Sequence, residues 1–342
     1  MQGGKGVSLF IQCFLESIEN LKANGNFKLE LVSPFCWILN PANARQFGGP
    51  RDVPVTVLAL VHGDERCGVD VLNEFLRLIL NGTIEPKFSV GIALGNVPAA
   101  MKNVRYRDQD LNRSFGTEKL SNSEDRRAKE IEQLLKRSMY LVDLHQTITR
   151  SDFPFFIFGY AERTAAFANL LCPDLPLVTF LSGQFSCHGK TTIDYMRSSG
   201  GTALTLEMGQ IGFDRYQRDV GVLTLIRALN CVQQLTFGGA SLVLNRSNFS
   251  NEIYTFAETI QADDSLAKLD DGWYNFRELS AGERLGTQST GEIKAAQDGW
   301  MLFPKYSLNE SARSLSTSKV TKVELGRILR RSSPEELPQD IC

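Results

Sequence analysis

Two of the three histidines in this 342-residue chain stand at the ends of apolar segments, where their positions suit metal chemistry. His62 follows the apolar run 55–61, and His145 ends the mainly apolar run 140–145. Imidazole is the metal ligand that proteins use most often. We therefore interpret His62 and His145 as candidate ligands of a catalytic metal.

A third ligand is needed, because a hydrolytic zinc is held by three protein side chains and keeps a fourth position open for water. Glu65 lies three residues after His62, where a strand is predicted to turn into a helix, so both side chains can converge on one ion. His145 would complete the set from a neighbouring strand. A His-x-x-Glu pair alone is weak evidence, so the prediction rests on all three residues.

Two acidic residues occupy positions that suit supporting roles. Asp143 lies two residues before His145, and side chains two apart on a strand share a face, so its carboxylate is a candidate partner that orients the imidazole. Glu207 ends the apolar segment 202–206 and is a candidate general base that takes a proton from water and passes it to the leaving amine. The alternatives are a solvated strand end for Asp143 and a helix cap or surface residue for Glu207.

The segment 105–115 concentrates three arginines and an asparagine within nine positions and has neither helical nor strand periodicity. Guanidinium groups bind carboxylates through paired hydrogen bonds, and a cation beside a scissile carbonyl stabilises the oxyanion. The segment is therefore a candidate for substrate binding. Taken alone, it could equally be a charged surface loop.

A scaffold must position these residues, and the chain between residues 50 and 238 alternates strand-like apolar runs with segments of helical period. The predicted strands are 55–61, 88–94, 139–145, 155–159 and 202–207. The predicted helices are 68–80, 123–137 and 220–235. Ligand sites in such α/β folds lie beyond the carboxyl ends of the strands, and both His62 and His145 fall there.

The pattern changes after Gly238-Gly239 to short β-rich runs separated by polar and glycine-containing turns. These runs are 241–245, 253–257, 292–296 and 299–303. Because 342 residues exceed the size of one ordinary hydrophobic core, we predict two domains. They are a catalytic α/β domain over 1–239 and a smaller β-rich C-terminal domain over 240–342.

Charge and cysteine content narrow the class of partner and the compartment. The 37 basic and 39 acidic residues leave a net charge of −2, so neither a nucleic acid nor an anionic membrane is expected as the main partner. Seven cysteines without a Cys-x-x-Cys pair argue against a disulfide framework. Residues 1–18 have the pattern of an amphipathic helix, and no run of about 18 apolar residues suggests a membrane span. We predict a soluble cytoplasmic protein and leave a homo-oligomer open.

Four segments together give a more specific signal, because their order and rough spacing resemble those of the succinylglutamate desuccinylase and aspartoacylase family. The segments are His62-Gly63-Asp64-Glu65, Asp110-Leu111-Asn112-Arg113-Ser114-Phe115, Asp143-Leu144-His145 and Thr205-Leu206-Glu207-Met208-Gly209. The resemblance covers about residues 55–215 well and the C-terminal part loosely. It implies a zinc carboxypeptidase-like α/β fold, in which a mixed sheet is flanked by helices and followed by a smaller β-rich domain.

The same resemblance implies an amidohydrolase with one zinc ion per chain, held by His62, Glu65 and His145. It makes Glu207 the general base and Arg105 the group that polarises the substrate carbonyl. The residues implied to bind substrate carboxylates are Asn112, Arg113 and Arg197.

The implied substrate is a small N-acyl amino acid. N-succinylglutamate is expected first, because the segments 146–150 and 301–304 are nearer to the desuccinylase branch of the family. Deacylation of N-acetylaspartate or another N-acyl amino acid is the closest alternative. A metallocarboxypeptidase and a non-catalytic protein that binds an acidic metabolite are the remaining ones, and the presence of Glu207 speaks against the last of these.

Three residues are left without a settled role. The segment 183–191, which contains His188, ends like a phosphate-binding loop, but its glycine spacing is wrong for one. His188 is instead a candidate substrate-proximal residue or an ordinary surface histidine. Arg150 is a candidate cation for a longer diacid or a residue at the rim of the site, and Tyr306 is a candidate for the C-terminal tyrosine of the aspartoacylase branch.

Overall fold

The computed structural model describes residues 4–45, 47–180, 190–239, 242, 249–262, 267–306 and 323–337. The strands are β1 (Phe27–Ser33), β2 (Cys36–Pro41), β3 (Val53–Ala59), β4 (Val90–Leu94), β5 (Ser138–Thr147), β6 (Phe155–Gly159), β7 (Leu177–Phe180), β8 (Thr202–Gln210), β9 (Ile253–Ala262), β10 (Lys268–Leu269), β11 (Glu278–Leu279), β12 (Arg284–Gln288), β13 (Gly291–Lys294), β14 (Gly299–Leu302) and β15 (Val323–Ser332). The helices are α1 (Gly4–Ala23), α2 (Cys67–Leu80), α3 (Val97–Ala100), α4 (Ser123–Leu135), α5 (Glu162–Leu171), α6 (Thr192–Ser198) and α7 (Arg215–Phe237).

Twelve of the strands form one mixed sheet in the order β1-β2-β4-β3-β5-β8-β6-β7-β9-β15-β14-β11. Its centre is parallel, since β3 pairs with β4 and β5, and β5 pairs with β8, in the parallel sense. Every residue of β3 and β4 is buried, which requires cover on both faces of the sheet and explains why their sequences are apolar except for Thr56. The register of β5 and β8 places His145 opposite Glu207, so two candidate site residues meet at one edge of the sheet.

The C-terminal region is β-rich, as predicted. Strand β9 pairs in parallel with β7, so the large sheet continues from the α/β part through β9, β15, β14 and β11. Strands β10, β12 and β13 form a separate three-stranded sheet. A second hydrophobic cluster, which includes Leu285 and Ile328, lies entirely after residue 240. The division at 239/240 stays a prediction.

Helix α7 is long and apolar enough, by length and composition alone, to qualify as a candidate membrane span. In the structure it packs against α2, α5 and β8, and its buried residues Val222, Leu225 and Leu229 belong to the main hydrophobic core. Core helices of soluble proteins meet the same criteria, so the helix is weak evidence for a membrane.

Most predicted elements are present, with ends that differ by a few residues, and residues 1–18 correspond largely to α1. The elements that the sequence patterns did not predict include the short strand β7, the helix α5 and the hairpin of β1 and β2. Most residues of β1 are half-buried or exposed, and buried and exposed positions do not strictly alternate along it. Its sequence therefore lacks the pattern of a core strand. Helix α4 is capped by the Asn122 side chain, which accepts from Asp125 N. The predicted strand 241–245 lies outside the described residues apart from residue 242.

A buried arginine joins α4 to the large sheet. Arg127 donates to the carbonyl oxygens of Leu94 at 2.7 Å, Gly95 at 2.7 Å and Pro34 at 2.6 Å, and to Glu130 Oε2 at 2.6 Å. Only 8% of the residue is exposed. Leu94 and Gly95 lie at the end of β4, and Pro34 lies in the turn between β1 and β2. One guanidinium therefore satisfies backbone carbonyls from two connections.

We expect Arg127→Met to lower the free energy of unfolding by about 3–5 kcal/mol, because it leaves several buried carbonyl groups and one carboxylate without their donor. Urea unfolding followed by circular dichroism measures the change. Arg126→Ala is the matched control, since Arg126 is the exposed neighbour on the same helix and should change stability by less than about 0.5 kcal/mol. Equal stability of the two variants would contradict the role given to Arg127.

Candidate active site

His62, Glu65 and His145 lie together at the carboxyl-terminal ends of β3 and β5. Glu65 Oε1 lies 2.7 Å from His62 Nδ1, and Glu65 Oε2 lies 3.0 Å from His145 Nδ1. All three side chains are buried, and one ligand atom from each lies within 4.8 Å of the others. Two imidazoles and a carboxylate that share one buried space are a donor set that suits a zinc ion.

The turn that carries two of these residues depends on a glycine. Gly63 N donates to Arg105 O at 2.9 Å, which ties the turn to the segment after α3. A Cβ atom at Gly63 would lie 2.4 Å from Ala100 N and 2.5 Å from Val104 O, so no other residue fits there without displacing backbone. The close approach holds His62 and Glu65 against Arg105.

Each histidine also has a carboxylate beside the ring nitrogen that faces away from Glu65. Asp110 Oδ1 forms a hydrogen bond with His62 Nε2 at 3.1 Å. Asp143 Oδ2 lies 3.1 Å from His145 Nε2 as an ion-pair contact without hydrogen-bond geometry. Carboxylates in this position orient metal-binding imidazoles and increase their basicity. The structure thus places Asp143 where the sequence predicts it. Asp110 was not singled out from the sequence, although it begins the second family segment.

The charges of this cluster favour a cation at its centre. Burial lowers the pKa of His145, but the Asp143 and Glu65 carboxylates outweigh burial and hold that pKa well above its ordinary value. Burial likewise opposes protonation of His62, yet Glu65 and Asp110 leave its pKa raised. Burial would raise the pKa of Glu65, but the two imidazoles hold it well below its usual range. The buried carboxylates therefore draw positive charge into the space between the three residues.

Arg105 reaches the same cluster from the segment after α3. Its Nη1 donates to Glu65 Oε1 at 2.9 Å, and its Nη2 lies 3.0 Å from His62 Nε2. Burial would lower the pKa of Arg105, but Glu65 and Asp110 keep it raised, so the guanidinium stays charged. A cation is thus present directly beside the candidate metal position.

Glu207 lies beside the cluster on the neighbouring strand β8. It is 8% exposed, and its Oε2 has no hydrogen-bond partner among the residues that the structure describes. Burial and the charge of Glu65 raise the pKa of Glu207 to about 7, although the positive charges of His145 and His62 act in the opposite direction. A buried carboxyl group with a pKa near neutrality and an unsatisfied oxygen is suited to moving protons.

The three residues predicted to bind substrate carboxylates lie in two separate elements of the fold. Asn112 and Arg113 lie in a short 3-10 turn, Leu111–Arg113, that Asp110 caps through Asn112 N at 2.8 Å. The same Asp110 lies against His62, so this turn is tied to the cluster. Arg197 lies in the last turn of α6, is exposed, and has its guanidinium close to Gly159 at the end of β6.

Gln146 is a buried residue that the sequence patterns did not single out. Its backbone N–H donates to Glu65 Oε2 at 3.0 Å, and its side-chain Oε1 accepts from Cys67 N at 3.0 Å, at the start of α2. Its Nε2 donates to Gln210 O and Gly212 O, both at 2.9 Å. Gln146 thus joins the metal-ligand turn to the chain after β8. The signals for it in the sequence were its position directly after His145 and its place in the segment 146–150.

The residues without a settled role are now placed in part. Arg150 donates to Asp152 Oδ1 at 2.8 Å, and its guanidinium lies over the Tyr274 ring, 4.6 Å from the ring centre. The Tyr306 hydroxyl donates to Trp273 O, within the C-terminal hydrophobic cluster. Neither contact involves the His62 cluster. His188 lies outside the described residues.

Comparison with known proteins identifies the family. A family model described as the succinylglutamate desuccinylase/aspartoacylase catalytic domain matches residues 53–229. The succinylglutamate desuccinylase of Pseudomonas aeruginosa is 27% identical over 261 residues, which cover 68% of this chain and 74% of that protein. An N-acyl-aromatic-L-amino acid amidohydrolase (carboxylate-forming) of Xenopus tropicalis is 32% identical over 199 residues, which cover 52% of this chain and 60% of that protein.

A solved structure supports the fold. The succinylglutamate desuccinylase of Vibrio parahaemolyticus superimposes with a TM-score of 0.67 at 16% identity, and the match covers 90% of this chain and 89% of the other. The likeness confirms the predicted architecture of a large mixed sheet flanked by helices with a C-terminal β-rich region. Because the family model spans more than half of the 342 residues, and because the segments it covers include the buried cluster, the chain belongs to the succinylglutamate desuccinylase/aspartoacylase family.

Proposed function

We propose that this protein is a zinc-dependent amidohydrolase that cleaves the amide bond of an N-acyl acidic amino acid, with N-succinylglutamate as the first substrate to test. The observation that carries the proposal is the convergence of His62, Glu65 and His145 in one buried space, with Glu207 beside them. The succinylglutamate desuccinylase that matches 68% of the chain supports this substrate class.

The donor set fits one zinc ion per chain. His62, Glu65 and His145 would hold it, and the carboxylates of Asp110 and Asp143 would orient the two imidazoles from behind. When bound there, zinc supplies Lewis acidity, which makes a water molecule more acidic and polarises a carbonyl group. The raised pKa values of both histidines are consistent with a site that takes up positive charge.

The protein's own groups divide the remaining work. Glu207 accepts a proton from the attacking water at Oε2, which has no hydrogen-bond partner among the described residues, and returns it to the nitrogen of the leaving amino acid. Arg105 places its guanidinium where negative charge develops on the carbonyl oxygen. Asn112, Arg113 and Arg197 are assigned to the carboxylates of the substrate, and their positive charge and hydrogen-bond donors select a diacid over a neutral compound.

A second candidate function is deacylation of a different N-acyl amino acid. The Xenopus tropicalis relative, whose name specifies an N-acyl-aromatic amino acid, favours this alternative, as does the breadth of the family. N-acetylaspartate is likewise an N-acyl amino acid, with an acidic side chain in place of an aromatic one. The chemistry proposed for Glu207 and Arg105 is identical in both cases, so only the groups that bind the substrate side chain decide between them.

The zinc-loaded protein should be tested on N-succinylglutamate, N-acetylaspartate, N-acetylphenylalanine and short peptides with a free carboxyl end. The highest kcat/KM is expected for N-succinylglutamate. Highest activity on N-acetylaspartate or N-acetylphenylalanine would favour the second candidate function, and highest activity on peptides would favour a carboxypeptidase. Zinc binding without turnover of any of these compounds would favour a non-catalytic protein that binds an acidic metabolite.

We expect Arg113→Ala to raise KM for the acidic substrate by about 10- to 100-fold, because a charge-assisted hydrogen bond to a carboxylate is lost. The change in kcat should be smaller. Arg150→Ala is the matched control, since Arg150 pairs with Asp152 and Tyr274 instead, and KM should stay within about twofold of wild type. An unchanged KM in Arg113→Ala would remove Arg113 from the substrate site.

A further inference from the structure

Thr192 contacts both sides of the candidate site although it belongs to neither the ligand set nor the family segments. It is the first residue of α6 and is fully buried. Its hydroxyl donates to Asp143 Oδ2 at 2.5 Å, and its backbone N–H donates to Asn112 Oδ1 at 3.0 Å. One residue thus contacts the carboxylate behind His145 and the amide assigned to substrate binding.

The hydroxyl determines how the Asp143 carboxylate is turned. Asp143 Oδ2 receives the Thr192 hydroxyl and also lies 3.1 Å from His145 Nε2. The other oxygen, Asp143 Oδ1, is buried and has no hydrogen-bond partner within the described part of the chain. His145 Nε2 has no hydrogen-bond partner among the described residues, so its contact with Asp143 is an ion-pair approach. The hydroxyl of Thr192 is therefore the donor that keeps this carboxylate within reach of the imidazole.

The backbone N–H determines how the Asn112 amide is turned. An asparagine side chain has one accepting and one donating end, and the end that meets a donor must be the oxygen. Because Thr192 N–H donates to Asn112 Oδ1, the NH₂ group is left for another acceptor, and the proposed function assigns it to a substrate carboxylate. Asn112 as a whole is 9% exposed, so water has little access to compete for these positions.

The start of α6 holds Thr192 rigidly. Thr191 caps the helix by accepting from Asp194 N at 3.1 Å, and Asp194 Oδ2 accepts from Thr191 N at 3.1 Å. This reciprocal pair fixes the first turn of a helix. Both hydrogen bonds of Thr192 therefore start from a fixed point in the fold.

We propose that Thr192 is a positioning residue that aligns the metal ligand His145 through its hydroxyl and the substrate-binding Asn112 through its backbone N–H. The inference rests on the proposed function, since it takes His145 as a zinc ligand and Asn112 as a substrate contact. Through Thr192, helix α6 connects the proposed metal site with the proposed substrate-binding site.

Thr192→Val tests the hydroxyl, because valine has nearly the same shape but donates no hydrogen bond. The zinc dissociation constant, measured by competition with a chromophoric chelator, is expected to rise by about 10-fold or more. With zinc at saturation, KM should stay within about twofold of wild type, because the N–H to Asn112 remains. Thr192→Ser keeps the hydroxyl and should restore zinc binding to the wild-type value.

Thr192→Pro tests the backbone N–H, since proline lacks it and suits the first position of a helix. Thr191, the preceding residue, has the extended conformation that a following proline requires, with ψ of 169°. The proline variant should bind zinc as weakly as Thr192→Val. Its KM should be a further 2- to 10-fold higher, which is the effect of one hydrogen bond.

Each result decides one part of the proposal. Wild-type zinc affinity in Thr192→Val would overturn the hydroxyl role, and equal KM values in the valine and proline variants would overturn the N–H role. A residue with a purely structural role would lower the melting temperature of the zinc-free protein without changing zinc affinity. A wild-type protein that binds no zinc would overturn the proposed function and this inference together. Zinc binding without turnover would overturn the proposed function only, and the Thr192→Val and Thr192→Ser pair would still decide the hydroxyl role.

Discussion

Replacing Glu207 by glutamine is expected to lower kcat by about 10²- to 10⁴-fold while the protein retains its zinc. Glutamine has the same size as glutamate but cannot accept a proton at neutral pH. Glu207 is not one of the three residues whose ligand atoms converge, so its loss should leave the metal site intact. Steady-state kinetics on the best substrate and zinc analysis of the same preparation measure the two quantities.

Glu258→Gln is the matched control for this experiment. Glu258 also carries a buried oxygen without a partner in the described part of the chain, but it lies on β9, three strands away from β8 in the sheet order. The kcat of the Glu258→Gln variant should stay within about twofold of the wild-type value, as for other substitutions away from a reacting group. If Glu207→Gln kept near-normal turnover, another group would have to be the base.

Replacing His145 by alanine is expected to abolish zinc binding at micromolar concentrations, and activity with it. The substitution removes one of three ligands and leaves Glu65 and Asp143 as buried carboxylates without their shared imidazole. The loss in zinc affinity should exceed the roughly 10- to 100-fold that accompanies removal of a group behind a ligand. Equilibrium dialysis against buffered zinc measures it.

Asp143→Asn provides the graded comparison, because it changes the group behind His145 and keeps the ligand. Zinc affinity should fall by about 10- to 100-fold, less than in His145→Ala. The order wild type, Asp143→Asn, His145→Ala is therefore predicted for zinc affinity. Wild-type zinc affinity in His145→Ala would mean that this imidazole is not a ligand.

The ligand cluster was partly accessible from the sequence, because its histidines lie at the carboxyl ends of buried parallel strands. His62 follows β3 by three residues and His145 lies near the end of β5, and the carboxyl ends of parallel strands meet at one edge of a sheet. The proximity of Glu207 to His145 follows from the same rule once β5 and β8 are neighbours. The strand patterns predicted the edge at which the histidines lie, and the full set of site residues was assigned only once the four family segments were taken together.

The residues that support the cluster were not accessible in the same way. Gln146 N donates to Glu65, which lies 81 residues earlier in the chain. The Thr192 hydroxyl donates to Asp143, which lies 49 residues earlier. No periodicity marks such contacts, since they depend on how the turn at 62–65 and the start of α6 approach the sheet. Arg150 shows the opposite case, in which a cation next to a site segment turns away to Asp152 and Tyr274.

X-ray absorption at the zinc edge of the stoichiometrically loaded protein tests the central claim most directly, because it reports the atoms bound to the ion. We predict one zinc per chain with two imidazole nitrogens and carboxylate or water oxygens at about 2.0–2.2 Å. His145→Ala, if loaded at high zinc, should lose one imidazole from the spectrum. Sulfur ligands at about 2.3 Å, or fewer than two imidazoles in the wild-type protein, would contradict a site built from His62, Glu65 and His145.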